Sequence, residues 1–247
     1  MRYNRSVGKS LKAILICLLV PACAGAQDYA GKFYTAGPST GTFFALTYDD
    51  GPGATTPALL DLLASSGAKA TFFISGRPSG KNLSALQRAC AEGHLAANHT
   101  LSHKNYFKLA VDPDKDKILA AELEPTGKAI EKACGYRPRI MRMPNGYSRD
   151  WVRKVARAEG YALVNWTYGS DWTKLSDEEM TAGYLKALKP GAILLFHDGG
   201  GKVRQRTLRL TRAVLAEAAK RGLEPVTLDR LLNIGDIGDT IPISSGK

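Results

Sequence analysis

Apolar and polar positions along the chain follow two rhythms. Short apolar runs recur at Phe43 to Tyr48, Ala70 to Ile74, Ile140 to Arg142, Ala162 to Trp166 and Ala192 to Phe196. Each reads as a buried strand. Between them, apolar residues return every three or four positions over Thr56 to Ser65, Leu83 to Ala91, Asp114 to Ala133, Arg149 to Glu159, Asp177 to Leu188 and Val203 to Lys220. These stretches read as helices with one buried face. Pro125 is expected to kink or divide the longest one, because proline lacks the amide that the helix ladder needs. Alternating strands and helices predict an α/β fold with parallel strands, either closed into a barrel or left as an open doubly wound sheet. In both, functional groups belong where strands end and loops begin.

One predicted strand ends abruptly, in FALTYDDGPG (44–53). Successive strand residues point in opposite directions, so Asp49 and Asp50 can do different work. One carboxylate can hold a cation while the other faces an activated water as general base. The plainer alternative is a turn with two solvated acids, since Asp, Gly and Pro all favour turns. Four histidines are present: His94, His99, His103 and His197. His99 and His103 are four apart, which on a helical turn puts both imidazoles on one side. Two neutral imidazoles and a carboxylate suit one divalent transition metal, zinc above all, with cobalt as an alternative. A lone pair of histidines is otherwise unremarkable surface chemistry, so the third ligand has to come from the Asp49–Asp50 pair. His94, at a strand start, reads as structural, with its ring nitrogens satisfied locally. Asp198 reads as a support for the His197 loop.

The 247 residues, 44% of them hydrophobic, are enough for one sizeable domain and argue against wholesale disorder. The start of the chain changes the picture more. Arg2, Arg5, Lys9 and Lys12 give a positive start, Leu11 to Val20 is mostly apolar, and Ala24-Gly25-Ala26 follows. That is the pattern of an export signal cut after Ala26, and the run is too short to span a membrane. A buried N-terminal helix and a lipoprotein cut before Cys23 are the alternatives, the latter weakened by Pro21. Removing 1–26 takes away four positive charges and no negative ones, lowering the formal net charge from +11 to +7. The expected product is a secreted or periplasmic basic monomer, suited to an anionic polymer or surface. Lys202, Arg204, Arg206, Arg209 and Arg212 form a basic run. No aromatic residues interleave with it, so it reads as a solvated helix face and not as a nucleic-acid site. Only Cys90 and Cys134 would survive cleavage. An oxidising compartment permits them to pair, but sequence leaves the pairing open.

The motifs TYDDGP (47–52), KATFFISG (69–76), GHLAANHTLSH (93–103), RMPNG (142–146) and LLFHD (194–198) occur in that order. Together they resemble the polysaccharide deacetylases of the NodB-homology group, carbohydrate esterase family 4, over roughly residues 43 to 230. The resemblance implies a single catalytic domain, a distorted (β/α) barrel with fewer than eight parallel strands. It would occupy 43–232, between a linker (27–42) and a loose tail (233–247). It implies metal-dependent removal of acetyl groups from sugars. By motif match, Asp50, His99 and His103 would hold the metal and Asp49 would be the base, paired with Arg142. The Asn145 amide would help bind the oxyanion, and His197 would be the general acid. Trp166 and Leu195 would wall the acetyl pocket.

Two departures from the family pattern stand out. Family members carry an acid that tunes the acid histidine in a Trp-containing segment. Here that segment is NWTYGSDW (165–172). The position three after Trp166 is Gly169, so Asp171 is taken as the partner of His197. Asn145 stands where an aromatic is common, which alters the groove wall but leaves the backbone donor. The expected substrate is an acetylated polysaccharide, peptidoglycan first and chitin oligomers next. The rival readings are an acetylxylan-type O-acetyl esterase, a catalytically inactive glycan-binding protein and a metallophosphoesterase.

Overall fold

The computed structural model describes residues 1, 29–78, 80–202 and 204–235. The expected leader, with Cys17 and Cys23, and residues 236–247 of the expected tail lie outside the described residues. In chain order the elements are β1 (Phe33–Tyr34), β2 (Phe43–Gly51), α1 (Thr56–Ser65), β3 (Thr71–Ile74), α2 (Gly80–Ala91), β4 (Leu95–Asn98), α3 (Tyr106–Leu109), α4 (Lys115–Cys134), β5 (Ile140–Met141), a 3₁₀ turn (Pro144–Gly146), α5 (Asp150–Ala158), β6 (Ala162–Val164), β7 (Tyr168–Gly169), α6 (Asp177–Ala187), β8 (Ile193–His197), α7 (Gln205–Lys220), β9 (Glu224–Pro225) and α8 (Leu228–Leu232).

The sheet runs β1-β6-β5-β4-β3-β2-β8-β7, and β9 adds to β2. Every pairing is parallel. Only β2, β3, β4, β6 and β8 exceed two residues, so the barrel is carried by few strands and is distorted. The chain itself crosses from β6 to β7 at 165–167, bridging the two ends of the path. There Thr167 Oγ1 donates to Thr35 O (3.2 Å) and accepts from the Ile193 amide (3.0 Å).

The period-two alternation of β2 sorts its side chains into two layers. Phe44, Leu46 and Tyr48 face outward and pack with Leu59, Leu60, Leu63, Leu210 and Val214 of α1 and α7. Ala45 faces inward and packs with Phe73, Val164 and Ile193. Burial on both faces explains why the strand reads as a nearly continuous apolar run. Asp49 shares the inward parity of Ala45 and Thr47, and this sets the chemistry below.

α4 is not divided at Pro125, the stronger form of the disruption expected there. The carbonyl that Pro125 leaves without an amide partner belongs to Ala121, which is exposed, so water can satisfy it. Leu119, Leu123 and Ile130, buried on both sides of the proline, hold the helix together. Cys90, late in α2, is bonded to Cys134, the last residue of α4, so the pairing left open by sequence is made. Residues 29–42 lead into β2 and contribute β1. No helix among the described residues is long and apolar enough to cross a membrane.

Candidate active site

The C-terminal ends of β2, β4, β5 and β8 lie side by side on one rim of the sheet. They carry Asp49 and Asp50, His99, Arg142 and His197 respectively. A cleft of about 370 Å³ opens there. Every residue given a ligand, catalytic or substrate-binding role from sequence lines it except Arg142 and Asp171, which stand behind the lining and hold it.

Asp50 breaks the strand alternation with a left-handed backbone (φ 69°). Glycine suits the next position, because a Cβ on Gly51 would collide with the buried Asp198 carboxylate. Asp50 Oδ1 lies 3.5 Å from His99 Nε2 and 3.4 Å from His103 Nε2. One ligand atom from each of the three residues lies within 4.8 Å of the others. The two imidazoles do not converge by helical periodicity, as the spacing suggested. Residues 99–103 form a loop in which Thr100 (φ 70°) and His103 (φ 49°) are both left-handed. Tertiary contacts impose that shape. Asn98 accepts the Thr100 amide (2.9 Å), and Glu122 of α4 accepts from the Ser102 amide (2.8 Å) and the Ser102 hydroxyl (2.8 Å). Glu122 also meets Lys104 at 3.6 Å, so it grips the residues on both sides of His103.

His99 Nδ1 donates to the Arg142 carbonyl (2.8 Å), which leaves Nε2 as the lone-pair nitrogen facing Asp50. Burial raises the Asp50 pKa, but when the imidazoles carry protons the hydrogen bond and charge of His99, with His197 and His103, pull it down to about 2, and a bound cation would replace those charges. An ionised carboxylate and two neutral imidazoles, one with a fixed tautomer, fit a divalent cation with coordination positions to spare.

Asp49 is tied differently. Arg142, fully buried, donates from Nη1 to Asp49 Oδ1 (2.7 Å) and Thr47 Oγ1 (2.9 Å), from Nη2 to Asn165 O (3.0 Å) and from Nε to Val164 O (3.1 Å). Its guanidinium lies 4.0 Å from the Phe73 ring centroid. Burial lowers the Arg142 pKa and Asp49 raises it. Asp49 Oδ2 points to the cation site, 3.7 Å from His99 Nε2.

Across the cleft, His197 Nδ1 donates to Asp171 Oδ1 (2.8 Å), and its backbone amide donates to Asp171 Oδ2 (2.8 Å). The same carboxylate takes up to one more bond from Thr207 Oγ1 (3.3 Å). Burial opposes the imidazolium, but Asp171, Asp49 and Asp50 together raise the His197 pKa. Trp172 sets its ring edge-on to His197 at 5.1 Å. Asn145 is left-handed (φ 56°) and lines the cleft beside Gly146, against which Trp166 packs closely.

Of the other acids and histidines, Asp198 lies outside the cluster of three. It is fully buried and accepts from Thr56 Oγ1 at 2.5 Å, below the bend from Asp49 to Gly51. His94 is structural, but only half of what was expected holds. Nδ1 accepts the Ala70 amide (3.1 Å), while buried Nε2 has no hydrogen-bond partner. Sequence reading passed over Thr47, Asn98, Glu122, Thr207 and the carbonyls of Val164 and Asn165. Glu122, Thr207 and the two carbonyls are distant in sequence from the groups they hold, whereas Thr47 and Asn98 lie within the quoted motifs but carry no charge or ligand chemistry to mark them.

A parallel-strand barrel with this rim is the architecture of the carbohydrate esterases of family 4. The family model described as polysaccharide deacetylase matches residues 36–164. A peptidoglycan-N-acetylglucosamine deacetylase of Bacillus cereus is 35% identical over 79% of this chain and 90% of its own length. A chitooligosaccharide deacetylase of Bradyrhizobium sp. is 33% identical over 75% of this chain and 89% of its own. The crystal structure of the Bc1960 peptidoglycan N-acetylglucosamine deacetylase superposes with a TM-score of 0.74 at 30% identity, covering 84% of this chain and 94% of that one. The chain belongs to the polysaccharide deacetylase family and is a hydrolase.

Proposed function

We propose that this chain is an exported, cation-dependent N-deacetylase of N-acetylglucosamine-type polymers, acting first on peptidoglycan. The observation that carries this reading is the division of labour between adjacent carboxylates. Asp50 joins His99 and His103, while Asp49 faces the same point from its Arg142 anchor. The names of the similar enzymes support the substrate class, and the leader-like residues 1–26 support export.

A divalent cation bound by Asp50, His99 and His103 would polarise the acetyl carbonyl and acidify the attacking water. Asp49 accepts the proton of that water as it attacks, and Arg142 holds its carboxylate in the correct direction. The backbone N–H of left-handed Asn145 helps bind the tetrahedral oxyanion, while that of Gly146 is taken by the Met143 carbonyl (3.0 Å). His197, kept protonated by Asp171, gives its proton to the nitrogen as the carbon–nitrogen bond breaks. Trp166 and Leu195 enclose the acetyl methyl. The products are acetate and a free amino sugar.

The test is acetate release from defined N-acetylglucosamine oligomers and from peptidoglycan by purified protein, before and after chelation. Release abolished by chelator and restored by zinc or cobalt supports the reading. Release only from O-acetylated xylan would replace it with the esterase. Glycan binding without any release would replace it with an inactive binding protein.

A further inference from the structure

The basic run from Lys202 to Arg212 does not act as one face. Arg206 Nε donates to Asp177 Oδ1 (2.9 Å), and Arg209 pairs with the other oxygen of the same carboxylate. Both therefore spend their charge on α6. Arg204 differs: it lines the catalytic cleft. It is held from two sides, its backbone amide donating to Thr55 Oγ1 (2.9 Å) and its Nε–H to Gly199 O (3.0 Å).

Each catalytic charge in the cleft already has an opposite partner. Asp49 faces Arg142, His197 faces Asp171, and Asp50 faces two imidazoles. Among the described residues no carboxylate forms an ion pair with Arg204, and its two Nη groups make no hydrogen bond. A guanidinium offers five donors in a planar fork that fits a carboxylate with two parallel bonds. A neutral acetamide gives such a fork little to bind. Peptidoglycan chains carry carboxylates, on their stem peptides or, where the peptide is absent, on the lactyl ether of their muramic acid sugars, whereas chitin-type chains carry none.

We propose that Arg204 is a specificity-determining residue that binds a carboxylate borne by the glycan next to the sugar being deacetylated, so that peptidoglycan-type chains are favoured over neutral ones. The proposal rests on the deacetylase reading above and names the substrate feature that the cleft distinguishes.

The experiment compares three oligomer sets with wild-type enzyme: neutral N-acetylglucosamine oligomers, peptide-free peptidoglycan oligomers with free lactyl carboxylates, and the same oligomers carrying stem peptides. Each acidic set is also used after its carboxylates are converted to amides. The expected result is a KM about tenfold lower for one carboxylate form than for its amide. Which acidic set shows the effect identifies the source of the carboxylate. Added salt should narrow the gap by screening. Arg204→Gln should raise KM for the preferred acidic substrate by about the same factor, leaving the carboxylate and amide forms alike, and Arg204→Lys should restore part of the difference. Equal kcat/KM for acid and amide forms in wild type overturns the inference whether or not the variants fold, and leaves N-deacetylation standing. No acetate release from any set would instead bring down the reading on which it rests.

Discussion

Arg142 and Asp49 are joined by a 2.7 Å bond in which the arginine is fully buried and the aspartate is 3% exposed. The pair links β5 to β2 across the inside of the barrel. Four acceptors fix the guanidinium, so the carboxylate has one free oxygen and one direction to present it. Arg142→Met would leave Asp49 buried without its counter-charge. Removing one partner of such a pair destabilises by about 3–5 kcal/mol. The urea midpoint should fall accordingly. Arg142→Lys keeps the charge but lacks the fork, and should fold better than Arg142→Met while staying poorly active. Unchanged unfolding in both variants would refute the coupling.

In the proposed mechanism His197 must carry its proton as general acid. Its pKa is raised, so kcat/KM should decline as pH rises through a value above the ordinary 6.5. Asp171 favours the imidazolium. Asp171→Asn should therefore move that limb to lower pH, and His197→Ala should cost about 10²–10⁴-fold in rate. An alkaline limb that stays put in Asp171→Asn would assign it to another group.

Glu122 shapes the His103 loop from outside the site. Glu122→Gln keeps the size but weakens the grip on Ser102 and Lys104. Loss of a supporting partner of this kind typically weakens metal affinity by about 10–100-fold. Competition with a chromophoric chelator should detect the change in cation binding directly. Equal affinity in variant and wild type would show that the loop holds its shape unaided.

Asp198 makes stability depend on pH in the cation-free protein. Burial raises its pKa to about 7, reinforced by Asp49 and Asp50 and opposed by Thr56, from a reference of 3.8. A carboxyl raised in the folded state keeps a proton that the unfolded chain has released. Its contribution to stability is thus highest below about pH 4 and falls as pH rises to about 7, by ~4 kcal/mol in all. Asp198→Asn should flatten that decline in unfolding experiments from pH 4 to 7. A decline of the same size in the variant would place its origin elsewhere.

Much of the scaffold is legible from pattern alone. Long amphipathic stretches such as Thr56–Ser65 and Asp177–Ala187, and apolar strands such as β2 and β8, announce themselves by period and length. β4 does not, because Leu-Ala-Ala-Asn has no β-branched or aromatic residue and becomes a strand by pairing with β3 and β5. The two-residue strands β1, β7 and β9 likewise exist through their neighbours, whereas β5 falls within the apolar run at Ile140 to Arg142. The unbroken course of α4 through Pro125 is another tertiary outcome, made possible by an exposed Ala121 and apolar packing on both sides.

The sequence by itself determined the inventory of the site: two adjacent acids at a strand end, a His-x3-His pair, one later histidine and an order of motifs shared with a family. Those features are local, and local sequence encodes them. Only the tertiary structure decided who faces whom. Strand parity turns Asp49 inward to Arg142, a left-handed residue sends Asp50 to the imidazoles, and Asp171 rather than the residue at 169 reaches His197. It also separated Arg204 from Arg206 and Arg209, which read alike in sequence but meet different partners. The reason is the same in each case: direction and charge balance depend on groups brought together across strands, tens of residues apart along the chain.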